Sequence, residues 1–230
     1  MTSNPHLLKS FDAAFADLLD AFRRMGKLTA ENCTLATNAY LDADEIRALE
    51  AVNRDLDIDA AFEQLRADCF DLLLRFQPMA RDLRLVMGIE HAVGNLERAG
   101  DHAKNIARHV IAAPGLTLRP EEARQIADMA GLVVRTLDQA VIAMVEHATE
   151  AAKQVITTDT RVDAYKDAIL DGVMVTLRQH PAQARQHVGR LFVATALERI
   201  GDHATNLAEE VLFVSRGMPP GATRSGQDLS

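Results

Sequence analysis

Glu97 and Asp101 stand four residues apart, Asn105 follows four later, and the same trio returns as Glu198, Asp202 and Asn206. On a helix, residues spaced by four share one face, so each trio forms a short polar row. Two more acidic pairs share this spacing: Asp55 with Asp59, and Asp159 with Asp163. Like charges stacked one turn apart repel unless a positive group lies between them. Side chains that offer only oxygen suit hard cations such as Mg²⁺, Mn²⁺, Ca²⁺ or iron better than structural zinc. The chemistry these residues could do is therefore cation binding.

The context of the acids is duplicated along with them. Glu97-Arg-Ala-Gly-Asp-His-Ala-Lys-Asn-Ile-Ala-Arg-His-Val110 and Glu198-Arg-Ile-Gly-Asp-His-Ala-Thr-Asn-Leu-Ala-Glu-Glu-Val211 agree at nine of fourteen positions. A repeat of this length implies two similar supersecondary units stacked into one body. Gly100 and Gly201 lie inside the helical motif, where glycine costs about 1 kcal/mol relative to alanine. Close approach of another helix is one physical reason for both; the alternative is that glycine is simply tolerated there. His102 and His203 follow the aspartates by one position, which turns them about 100° away from the carboxylate row, toward the surface or an inter-helix contact, with ligation left only to a bent helix. His91, His109, His180 and His187 share no pattern.

The elements that must position these acids are helices. Hydrophobic residues make up 48% of the 230-residue chain but aromatics only 4%, with no Trp, a mixture that suits packed helices rather than sheets. Phe11, Phe15, Leu18, Phe22 and Met25 alternate in spacing between four and three, an apolar seam with Thr29 and Asn32 entering further along. It predicts a first helix from about Leu7 to Tyr40, after which Asp42 or Asp44 can cap a second. That second helix carries Ile46, Leu49, Val52 and Leu56, then Phe62, Leu65 and Cys69, and should end near Phe76. Pro78 is placed in the first turn of a third helix reaching about Ile111, with Asp82 near its positive end. Pro114-Gly115 breaks the chain. Pro120 starts a fourth helix to about Glu146, Thr149 caps a fifth to about Arg178, and Pro181 opens a sixth to about Ser215.

The expected fold is all-α: two pseudo-symmetric three-helix bundles over 6–113 and 116–216, with a polar, disordered tail over 217–230. Sequential antiparallel helices would bring Asp55 and Asp59 to Glu97 and Asp101, and Asp159 and Asp163 to Glu198 and Asp202. Four gathered carboxylates must be partly protonated or neutralised by a cation.

Other features limit the function. The formal charge is −8 without a basic block, which disfavours direct nucleic-acid binding. Cys33 and Cys69 lack metal or disulfide spacing and read as reduced core thiols. Neither a secretory signal nor a membrane-spanning apolar run is seen, so a cytoplasmic protein is expected.

Val52-Asn-Arg-Asp-Leu-Asp-Ile-Asp59, Gln77-Pro-Met-Ala-Arg-Asp-Leu-Arg84 and the two acidic motifs closely resemble the PhoU family of bacterial phosphate-uptake regulators over about residues 6–216. The resemblance implies a six-helix PhoU-like fold, with metal ions held at the acidic motifs, often as multinuclear clusters. Carried over by position, the metal residues are Glu97, Asp101, Glu198 and Asp202, faced by Asp55, Asp59, Asp159 and Asp163. Iron, manganese and magnesium are all admissible. Ala99 replaces the Ile usual in the first motif, on the packing side. The implied role is regulatory rather than enzymatic: repression of phosphate uptake and of the starvation response. It would act between the ATPase of a phosphate-specific ABC transporter and a phosphate-sensing histidine kinase. A homodimer is expected, reaching the membrane only through its partners.

Two other readings are open at this stage. A ferritin-like di-metal oxidase would need Glu-x-x-His, yet the third residue after each Glu is Gly100 or Gly201. A metal-free helical adaptor would use the same helices for docking alone.

Overall fold

The computed structural model describes residues 5–115, 117–179 and 184–216. Among these, six helices form and no strand: α1 (Pro5–Asp42), α2 (Glu45–Phe76), α3 (Arg81–Ala112), α4 (Pro120–Glu146), α5 (Thr149–Gln179) and α6 (Ala184–Arg216). The anticipated seam of α1 is buried from Phe11 to Met25, and Thr29 and Asn32 are buried with it. The Thr29 hydroxyl donates to the Met25 carbonyl one turn back, at 3.0 Å, so its burial leaves no donor unpaired. Asp44 caps α2, accepting from the Ile46 and Arg47 amides at 3.0 Å. α4 begins at Pro120 and ends at Glu146, as its proline and acidic first turn predict.

The start of α3 differs from expectation. Pro78 lies outside the helix, because Gln77 (φ 45°) and Ala80 (φ 52°) both take left-handed backbone and delay the first helical residue to Arg81. Thr149 is the first helical residue of α5 rather than a cap before it. His180, Pro181 and the 217–230 tail lie outside the described residues.

α1, α2 and α3 pack on one another, as do α4, α5 and α6, while α1 meets α4 and α3 meets α6. The four central helices share one apolar core, and α2 and α5 become the outer helices. Glycines permit close approach at the junction: a Cβ on Gly26 would lie 2.6 Å from Val141 on α4, one on Gly88 would collide with Val214 on α6, and one on Gly189 would lie 2.6 Å from His109 on α3. No described helix is long and apolar enough to cross a membrane.

The apolar residues that mark α2 in the sequence do not all face this core. Ala48, Ala51, Asp55, Ile58, Leu65, Cys69 and Leu72 form its buried face, whereas Ile46, Leu49 and Leu56 point outward. Small alanines let α2 seat tightly, and the larger side chains take the opposite side.

Candidate functional site

In both halves the motif glycine gives the outer helix its approach. A Cβ on Gly100 would meet Ile58 at 3.2 Å and the Asp55 carboxylate at 3.4 Å; one on Gly201 would meet Val162 at 3.3 Å. Ile58 and Val162 hold equivalent places in α2 and α5, so the expected reason for glycine holds in both copies.

The close approach gathers the first four carboxylates. Asp55 is 2% exposed, and burial, opposed by its bond to Lys104, leaves its carboxyl above the usual range, with Asp59 and Asp101 adding repulsion. Glu97 is raised likewise, first by burial and then by Asp101, with Asp59 also contributing. The positive group between them is Lys104, whose ammonium donates to Asp55 and lies 2.6 Å from Asp101. Burial pushes the Lys104 ammonium down, but these carboxylates outweigh it and hold it above its ordinary value. Asp55 Oδ1 is nonetheless buried without a hydrogen-bond partner.

The second half gathers its acids with a different cation. Asp202 is raised by burial, then by Glu198, Asp159 and Asp163. The place of Lys104 is taken by Thr205, whose hydroxyl donates to Asp159 at 3.3 Å. Lys166 on α5 instead reaches Glu198 at 2.8 Å, leaving Glu198 Oε2 buried without a hydrogen bond, 3.8 Å from Arg199 Nε. Across α2/α3 in one half and α5/α6 in the other, the acids thus lie near enough to repel one another and raise Asp55, Glu97 and Asp202.

Whether these residues fit a metal turns on donor chemistry. As the side chains stand, no three described His, Cys, Asp or Glu groups converge on one point. Both halves nevertheless offer only oxygen donors plus a buried carboxylate oxygen without a hydrogen bond, which suits a hard divalent ion. In the first half Lys104 lies against Asp55 and Asp101, so an ion there would compete with it; in the second, Lys166 lies against Glu198.

His102 and His203 leave the carboxylate rows, as their spacing predicts, and meet each other across α3 and α6 with ring centres 5.6 Å apart. Burial, then the neighbouring His102, holds His203 down to about 4, and its Nδ1 lies 3.1 Å from Asn95 Oδ1.

Sequence spacing misses a buried ion pair. Glu122 and Arg190, each 2% exposed, join α4 to α6 at 2.5 Å, with His187 3.9 Å away and Arg119 donating to the same carboxylate at 2.8 Å. Burial pushes Glu122 up, but Arg119 and Arg190 outweigh it and hold its carboxyl below the usual range. No repeat links these residues, so no sequence signal was available. A groove of about 480 Å³ runs along α1 and α4, lined by Glu31, Leu35, Val134 and Asp138, away from the acidic motifs.

Known proteins share this architecture. A family model described as the PhoU domain matches residues 22–110 and 126–211, one copy per half. The chain is 28% identical to a phosphate-specific transport system accessory protein PhoU homolog of Rhizobium meliloti, covering 99% of this chain and 96% of that protein. It is 32% identical to the Xylella fastidiosa protein of the same description, over 94% and 92% of the two chains. The crystal structure of PhoU from Pseudomonas aeruginosa superposes with a TM-score of 0.85 at 29% identity, covering 90% of this chain and all of the other. PhoU from Streptococcus pneumoniae, a phosphate transport system regulatory protein, gives 0.83 at 26% identity, covering 90% of this chain and 98% of that one. With both halves matched by the family model and near full-length relatives, the chain belongs to the PhoU family.

Proposed function

We propose that this protein is an accessory regulator of phosphate transport that restrains phosphate uptake and the phosphate-starvation response when phosphate is plentiful. The observation carrying this reading is the doubled family match, one per half, in a chain aligned along nearly its whole length with transport-system accessory proteins. Regulation of this kind works by favouring one state of a partner, which requires unequal affinity for its inhibited and active forms. The partners are the transporter ATPase and the cytoplasmic part of the sensor kinase, and long helical faces supply the docking area.

Divalent or trivalent ions, with iron, manganese and magnesium as the choices, would be held by Glu97, Asp101, Asp55 and Asp59 in one half. Glu198, Asp202, Asp159 and Asp163 would hold them in the other. A bound ion would neutralise the carboxylates and tie each outer helix to its motif helix.

Two measurements on the purified chain test these parts. Titration against the isolated ATPase and against the kinase's cytoplasmic region should give saturable binding to both; binding to neither contradicts the docking role. Elemental analysis should find metal that falls in Glu97→Gln/Asp101→Asn while the second site persists. Unchanged stoichiometry would place the ligands elsewhere.

A further inference from the structure

Ile46, Leu49, Leu56, Phe70 and Leu74 on α2 are between 52% and 80% exposed. With Asn53, Ala60, Glu63 and Ala67 they occupy a run spaced three, four, three, four from end to end of the helix, every member of it exposed. That is the a/d seam of a coiled coil, laid along the face opposite the core. Scattered surface leucines need no explanation, but an apolar stripe in register over a whole helix marks a docking face.

The duplication supplies an internal control. Each buried position of α2 has its buried or half-buried equivalent in α5, 104 residues later, as Ala48 and Ile58 have in Ala152 and Val162. At the same register the five apolar seam residues of α2 become Glu150, Lys153, Thr160, Met174 and Arg178. An outer helix of this fold therefore does not require an apolar outer face. The stripe on α2 is an addition to the fold rather than a consequence of it.

Charge selects the occupant. The arginines bordering the seam are engaged within the chain: Arg54 with Glu50 at 3.2 Å, Arg66 with Glu90 at 3.2 Å, Arg75 with Asp71 at 2.8 Å. Glu63 in the seam and Asp57 beside it are exposed and have no ion-pair partner among the described residues. A second copy of α2 is a poor fit. Antiparallel pairing that matches Ile46 to Leu74 sets Asp57 against Glu63 of the other copy, and parallel pairing sets Glu63 against itself. A helix with a basic centre would neutralise both acids and place large side chains over the small Ala60 and Ala67.

The geometry points to the outer face of α2 as a docking site for an amphipathic helix of another protein, apolar at heptad spacing and carrying Lys or Arg at its middle. This deepens the docking role proposed above by naming the surface and the chemistry of what it takes.

The test uses the full chain and a labelled synthetic peptide about four heptads long, matching α2, with Leu at a and d and Lys at e and g. Saturable binding is expected, weakened at least about tenfold by Leu56→Glu/Phe70→Glu and unaffected by Thr160→Glu/Met174→Glu on α5. The α2 substitutions add negative charge, so non-specific attraction of a basic peptide would rise in that variant rather than fall. Equal loss in both variants, or equal binding of a peptide with Glu in place of Lys, overturns the inference. Sedimentation provides a further arm: a dimer that dissociates in Leu56→Glu/Phe70→Glu would assign the seam to a second copy and refute a foreign helix. None of these readouts involves phosphate, the ATPase or the kinase, so failure here leaves the regulatory reading to its own test.

Discussion

The Lys104 ammonium on α3 is bonded to the buried carboxylate of Asp55 on α2, at the place where the second copy of the motif carries Thr205. The two halves thus treat equivalent acids differently: an ammonium pairs with Asp55, whereas a neutral hydroxyl donates to Asp159 and the lysine of that half pairs with Glu198. Replacing Lys104 by Met leaves the buried Asp55 without its cation, which should cost about 1–3 kcal/mol. It should also make added Mn²⁺ raise Tm more in the variant than in the parent, since ion and lysine compete for the same oxygens. Melting curves with and without MnCl₂ check both effects; an equal metal-induced shift in the two proteins contradicts the competition.

Arg190 and Glu122 are fully buried partners. Arg190→Met should destabilise by about 1–3 kcal/mol because it leaves the buried Glu122 carboxylate with Arg119 but without its partner on α6, while Arg190→Met/Glu122→Gln should regain part of that loss. Urea titration of the two variants tests the coupling, and equal stability of single and double variants would contradict it.

His203 is held at about 4 against an ordinary 6.5, first by burial and then by His102. The unfolded chain then binds this proton more readily than the folded one, so stability is lost as pH falls from 6.5 towards 4 and the effect levels off below that. The size is at most roughly 3 kcal/mol. In metal-free buffer, the stability difference between parent and His203→Gln should shift by that order across the window. Parallel pH curves would show that His203 does not carry it.

Glycines divide by what lies above them. Gly26→Ala should destabilise by about 1–3 kcal/mol because Val141 is a stiff, β-branched obstacle across the α1/α4 junction. Gly94, inside α3 with nothing within 4 Å of its added Cβ, should gain up to about 1 kcal/mol as Ala from helix propensity. Chemical denaturation of the pair checks the contrast; the same sign for both contradicts it.

Much of this arrangement is legible in the residues. Pro120 and its acidic neighbours mark the start of α4, and the repeated spacing of Glu97/Asp101 and Glu198/Asp202 marks the rows that the structure gathers. Lys104 was legible in principle, as a charged departure from the repeat inside the acidic motif. Periodicity misleads at the start of α2, where large residues advertise a face that small Ala48 and Ala51 bury instead. The delay of α3 depends on left-handed backbone at Gln77 and Ala80, residue types that do not signal it. Glu122 and Arg190 are brought together by tertiary packing alone.

The central claim is that this chain restrains the phosphate-starvation response, and reporter expression in its host tests it most directly. Deleting the chain should raise output from an alkaline-phosphatase-type reporter in high phosphate, and restoring it should bring that output down again. If the reporter stays low and phosphate-responsive without the protein, in a cell holding no second copy, the regulatory account is wrong.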